Sequence, residues 1–448
     1  MSRREAKVLL REHSQNLLRE CILLSFEYLP LPHPPLEIPD FPAQPPHDSN
    51  SLIQQALGIS SMDSAGFLYR LELIIEKFEP SFVKRHINPE VEREKWLSKN
   101  IEEISERILI LQIKDWLSSA LDAESPDTDR WYLSVSTLIG LSLKGSNIVE
   151  SEGFNLFNSI IFARKPGELP PNRLTGNHQI AWDGKKSRSF DEEIGHPSGV
   201  LAANSILDIL QLRQTKNNTL LPYWLEILSI SKHLSSLLNI PSRVQNQIID
   251  CNHNNFESLI MAAIHTLSHS PESSKEILFQ VCDSDKVILR RALASNLSRI
   301  DSEDRGFSIS LLEKLIDDED SDTRVLSITY LGNLARLEKL VFIQFAKKIS
   351  NKQDSRMLQR LIESGLRYYL SIDSNDSEDL IPILWINSNS ESRSQLSGML
   401  IEIAKINQKS FLDISIKIYG LDKISYTDLV NRITLRNTDL GNLIRNIQ

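Results

Sequence analysis

Glycine is scarce in this 448-residue chain, which has 16, where an average protein of the length carries about twice as many. Sandwiches, barrels and nucleotide-binding α/β folds rely on glycine turns. Its scarcity, with Leu and Ile leading the apolar set, therefore favours an all-α chain. Cysteine is scarcer still. Cys21, Cys251 and Cys282 are too few and too scattered for a disulfide framework, which points to a reducing compartment, the cytoplasm by default. No run reaches about 18 apolar residues, so no membrane span is expected. Charges at Arg11, Glu12, Arg19 and Glu20 interrupt any secretory-type apolar core. Basic excess is lacking too: 50 Lys and Arg against 59 Asp and Glu leave a net charge of −9, which argues against general nucleic-acid coating.

What is present is enough apolar surface for a large buried core, 41% of residues, in a length that suits several domains or one elongated repeat. Residues 1–29 read as an amphipathic helix, with Val8, Leu9, Leu17, Leu18, Cys21 and Leu24 at helical spacing until Pro30 stops it. Residues 30–50 form a Pro-rich strap holding eight of the 19 prolines. Pro32 and Pro35 fit a P-x-x-P pattern that SH3-type grooves read, but the interleaved Leu31, Leu36, Ile38 and Phe41 favour a strap packed on the body. Residues 51–165 read as a helical domain. Asn88-Pro89 opens a long helix whose apolar stripe is Leu97, Ile101, Ile104, Ile108 and Leu111. Residues 166–197 have no helical period and are taken as an irregular segment containing the main domain boundary.

From 198 to 448 short helices alternate with polar turns. Ile277–Val281, the turn Asp283–Asp285 and Leu289-Arg290, Leu293, Leu297 make one unit. Leu311–Leu315, the turn Asp318–Asp322 and Thr323-Arg324, Ser327, Leu331-Gly332 make the next. Leu380–Leu384, Asn387–Glu391 and Arg393, Leu396, Leu400 repeat the theme, with a weaker copy around Arg356 and Leu361. The Arg-to-Arg steps are 34, 32 and 37 residues, and self-similarity at that period means stacked helical repeats. These residues resemble the HEAT-repeat family, most closely at Asp320, Thr323-Arg324, Ser327 and Leu331-Gly332, where Thr and Ser stand in place of the family's Val and Ala. The likeness covers about 270–405 and, by extension, 200–448. Nothing in 1–165 carries it. It implies an α-solenoid with second helices on the concave side, in which Arg324 and Arg393 reach a turn aspartate of the neighbouring repeat.

Chemistry-bearing motifs are few. The Asp318–Asp322 run lacks the Gly and Glu of a calcium loop, since Thr323 and Thr329 hold those positions, so it reads as a solvated turn. His265 and His269 share a helix face, with Cys251, His253 and Cys282 nearby in sequence, but the spacing fits no zinc signature. Gly184–Ser189 is a short basic cluster after Trp182, cancelled at once by Asp191–Glu193. His178, Asp183 and His196 form an acid–base set only if folding unites them. The fold class is therefore an all-α chain, an N-terminal helical domain followed by a HEAT-like α-solenoid. The functional expectation is a non-catalytic scaffold or adaptor with no cofactor and no metal, cytoplasmic and not membrane-bound. Its partner would be a protein, with an acidic segment favoured, held by Arg291, Arg356, Arg360 and Arg367 on the second helices. The alternatives from other classes are a nucleic-acid-binding HEAT-like protein, as in the alkylpurine glycosylases, and a HEAT-like chromophore lyase.

Overall fold

The computed structural model describes residues 1–28, 30–35, 48–59, 65–122, 124–145, 148–168, 195–212, 220–250, 256–352, 354–372 and 377–446. Among these residues there are helices and no strands, and no helix is long and apolar enough to cross a membrane. Packing divides the chain into two compact units, Met1–Ser273 and Ser274–Gln448.

In the first unit, α1 (Arg3–Phe26) starts on a capping box in which Ser2 and Glu5 satisfy each other's backbone N–H. It is followed by α2 (Ser49–Ile59), α3 (Ala65–Phe78), α4 (Ser81–Arg85), α5 (Pro89–Ala120) and α6 (Thr128–Lys144). Helices α1, α5 and α6 pack on one another. Leu10, Leu18, Cys21 and Ile22 of α1 are wholly buried, as are Leu97 and Ile113 of α5 and Leu133, Leu138 and Ile139 of α6. The crossing of α1 and α6 requires Gly140, because a Cβ there would stand 2.3 Å from the Cys21 carbonyl oxygen. The α5 stripe is broader than the spacing predicts. Leu97, Ile104 and Ile108 are buried, but so are Leu109, Ile110 and Ile113, while Leu111 is 43% exposed. Cover from both α1 and α6 widens the apolar face.

The described part of the strap lies on the body. Leu31, Pro32 and Pro35 are buried, and Trp131 donates its indole N–H to the Pro32 carbonyl at 2.9 Å. Leu36, Ile38 and Phe41 lie outside the described residues, as do Trp182, Gly184–Ser189, Asp191–Glu193, His178, Asp183, Cys251 and His253.

A π-helical turn at Val149–Gly153 leads into α7 (Phe154–Ile161). Then come α8 (Pro197–Leu212), α9 (Leu220–Ser229), α10 (Lys232–Leu237), α11 (Ile240–Asp250) and α12 (Phe256–His265). Trp224 of α9 stacks on Phe157 with ring centroids 4.7 Å apart, and its indole N–H points at the carbonyls of Val149 and Glu150, at 3.3 and 3.2 Å. Those contacts, with α8 packed on α6 and α7, hold residues 197–273 to the first unit. The division by packing thus falls at Ser273/Ser274, within the span expected as one solenoid.

The second unit takes in most of α13 (Pro271–Cys282) and then α14 (Val287–Ser295), α15 (Leu297–Glu303), α16 (Arg305–Leu315), α17 (Ser321–Ile328), α18 (Leu331–Leu337) and α19 (Lys339–Ser350). Next are α20 (Ser355–Leu361), a π-helical turn Ile362–Leu366, α21 (Arg367–Ile372), α22 (Ser377–Asn387), α23 (Ser390–Ile406), α24 (Gln408–Leu421), α25 (Lys423–Arg436) and α26 (Thr438–Arg445). The second helices of successive pairs stack in chain order, α14 on α17, α17 on α20, α20 on α23 and α23 on α25, and α22 lies between α19 and α24. The predicted stripes Leu289, Leu293, Leu297, Ile300 and Leu358, Leu361, Ile362, Leu366 are all 0% exposed. No helix of six to seventeen residues buries such a face alone, so each pair is stabilised by packing against the next.

Candidate functional site

Arginines on the second helices meet acidic side chains of the neighbouring pair. Each ladder arginine sits four residues after the N-cap position of its own helix: Arg290 after Lys286, Arg324 after Asp320, Arg393 after Asn389. From one helical turn in, the side chain folds back on the turn it follows and also reaches onward. Arg324 donates to the carbonyls of Asp318 and Glu319 at 2.8 and 3.0 Å and pairs with Asp354 at 3.0 Å. Arg393 donates to the Trp385 and Ile386 carbonyls and pairs with Asp428 at 3.2 Å. Arg290 spans to Asp318 at 2.7 Å.

The four arginines expected at a partner site fall differently. Arg291 grips both oxygens of Asp320 at 2.8 and 2.7 Å and touches Asp322 at 3.0 Å. Arg356 reaches backwards, to Asp322 at 2.7 Å and to the Ser321 hydroxyl at 2.8 Å, so Asp322 is clamped from both sides. Arg360 lies 3.7 Å from Glu363 and donates to the Thr329 hydroxyl at 3.1 Å. Arg367 is exposed and has no ion pair among the described residues. The clamp sets the local charges. The Arg291 fork, helped by N–H and O–H donors of Thr323, holds the Asp320 carboxyl well below the usual carboxylate range. Burial pushes Asp354 upward, but Arg324 and the N–H groups of Met357 and Arg356 outweigh it and leave the carboxyl lowered.

One seam lacks the clamp. Four residues after the cap Asp354 stands Leu358, wholly buried, so no arginine of α20 reaches towards α23. Across that seam the Gln395 amide donates to Glu363 at 3.2 Å. There a groove of about 570 Å³ opens, lined on one wall by Glu363, Arg367 and Leu370 and on the other by Gln395, Met399 and Ile406. Ile406 is 78% exposed, and Met399 and Leu370 are half-buried. Glu363 is engaged by Arg360, and Glu402 on the far wall pairs with Lys405 at 2.8 Å, so Arg367 is the uncompensated charge on the rim. The Tyr369 ring stacks on Phe342 at 5.1 Å and fixes the inward face of α21, which turns Arg367 outward.

The chain matches no family model, no curated protein and no solved structure.

The other candidate residues are occupied or shielded. Ser229 receives both histidines, its hydroxyl at 3.2 Å from His265 and its carbonyl at 3.0 Å from His269. Among the described residues no three His, Cys, Asp or Glu side chains converge on one point. Cys282 is buried, and desolvation pushes its thiol up to about 11, which keeps it protonated and unreactive at neutral pH. The Asp318–Asp322 run is consumed by capping and pairing, with Asp320 accepting from the Thr323 N–H at 2.8 Å. Sequence reading missed Leu370, Met399 and Ile406. Its available signal was a leucine at the ladder position of one repeat, beside apolar residues that fall off the buried Leu396, Leu400 stripe.

Proposed function

We propose that the protein is a non-catalytic interaction scaffold, with the helix pairs of residues 274–448 forming a HEAT-like solenoid that holds a protein partner on its second helices. The observation that supports this is the groove between α21 and α23, where Met399, Ile406 and the Arg367 guanidinium face outward beside a ladder of arginine–aspartate pairs. A surface of stacked, mutually clamped pairs is stiff, and stiffness lowers the ordering cost of binding. Arg367 carries the expected basic contact. Arg291 and Arg356 are engaged by the Asp318–Asp322 turn and Arg360 by Thr329 and Glu363, so these three support the frame instead of the partner. The test uses the full chain as bait in a lysate of its own cells, beside a Met399→Glu bait whose helical circular dichroism is unchanged. A stoichiometric protein retained by the first and lost by the second is expected. No stoichiometric protein on the unsubstituted bait would overturn the reading.

A further inference from the structure

The seam groove has a shape and a charge that specify its occupant. Its long wall runs along α23 from Gln395 to Ile406, eleven residues at about 1.5 Å each, or about 16 Å, the length of three helical turns. Met399 and Ile406 stand seven residues apart on α23, which repeats along the axis at about the two-turn spacing of a helical ridge. Leu370 faces them from α21. Both walls are helices, so the floor presents ridges and a trough of the kind that receives another helix. An extended strand would gain nothing here, because the lining shows no unpaired sheet edge for it to bond.

The rim carries the specificity. Glu363 already accepts from Gln359 and Gln395, each at 3.2 Å, and lies beside Arg360. Glu402 is held by Lys405. The remaining charge is the guanidinium of Arg367, a planar fork suited to a carboxylate. A cationic partner would leave that charge opposed by a like one.

Resting on the scaffold reading, we propose that this groove docks one amphipathic helical segment of a protein partner, about three turns long, with an apolar ridge on Leu370, Met399 and Ile406 and an Asp or Glu on its flank paired with Arg367. The ridge supplies most of the affinity by leaving water. The carboxylate sets orientation and rejects basic helices.

The experiment is a selection from a displayed library of 14-residue amphipathic helices with a fixed leucine ridge and a randomised flank. Clones are kept that bind the full chain and not the Met399→Glu chain. The expected result is enrichment of Asp and Glu at one flank position. Arg367→Gln, a change at an exposed side chain, should then weaken a selected acidic peptide about three- to tenfold, and Arg367→Glu should reverse the preference towards Lys or Arg. Met399-dependent clones with no acidic enrichment, or peptides indifferent to Arg367→Glu, would overturn the carboxylate assignment. No Met399-dependent clone would overturn the groove as a helix site. Both leave the lysate capture above to decide the scaffold reading separately.

Discussion

Arg290 lays its guanidinium on both oxygens of Asp318, Nε at 2.7 Å and Nη2 at 3.1 Å, and so bolts α14 to the turn before α17. The side chains are 12% and 6% exposed. Arg356 and Asp322 make the same kind of pair in the open, at 58% and 42%. Water screens the second pair and not the first. Asp318→Ala should therefore cost about 2–3 kcal/mol, between an exposed and a fully buried pair, because it strands a shielded guanidinium. Arg356→Ala should stay within about 0.5 kcal/mol. Urea midpoints of the two variants measure the contrast, and equal losses would mean that exposure does not rank these clamps.

Acid should loosen the second unit first at its turns. The Asp320 carboxyl is held down by Arg291 and also caps α17. A carboxyl lowered by folding stabilises the fold fully above its unfolded value, about 3.9, and loses that contribution as pH falls from there towards the folded value. Amide protection across Ser321–Ile328, corrected for the intrinsic pH dependence of exchange, should fall steeply below about pH 4. Asp320→Asn keeps a side-chain cap but drops the charge, so its protection should be lower at pH 6 and change less with acidification. A variant as acid-sensitive as the parent would assign the loosening to other carboxyls.

The all-helical class and the buried stripes were legible because each depends on spacing within one helix. The ladder was partly legible: Arg324 and Arg393 stand at fixed offsets from their turns. Arg356 falls in the same repeat period but sits two residues after Asp354 instead of four, and that half-turn sends it backwards to Asp322. Arg291 was expected to face a partner, yet the next pair brings Asp320 to it across 29 residues, a distance that helical periodicity does not encode. The groove was hidden for the same reason, since it exists only where the Ile362–Leu366 turn and α21 face α23. The attachment of residues 197–273 to the first unit was equally invisible, because it turns on Trp224 meeting Phe157 and the Val149–Gly153 turn.

Leu331 is wholly buried at the start of α18, and the adjoining Gly332 has no room for a Cβ, which would stand 2.7 Å from the Ser364 carbonyl oxygen. Leu331→Ala should cost about 2–5 kcal/mol through lost burial and a residual cavity. Gly332→Ala should cost about 1–3 kcal/mol through overpacking against backbone. In stacked repeats the damage stays near its origin. Hydrogen exchange should accelerate across α17–α21 in both variants and leave residues 1–165 as protected as before. Uniform acceleration over the whole chain would show a single cooperative unit instead.

Trp131 closes the question of the P-x-x-P pattern. Its indole is wholly buried and holds the Pro32 carbonyl, while Pro32 and Pro35 themselves are buried. An SH3-type groove needs both prolines on an open polyproline surface, so residues 30–35 act as a fastened strap. Trp131→Phe keeps an aromatic ring but strands the buried carbonyl, at about 1–3 kcal/mol. A Leu31→Cys thiol should react slowly with a maleimide under native conditions and faster when Trp131→Phe is added, at a rate set by local opening. Rapid labelling with Trp131 in place would show a free tether and restore the peptide-ligand reading.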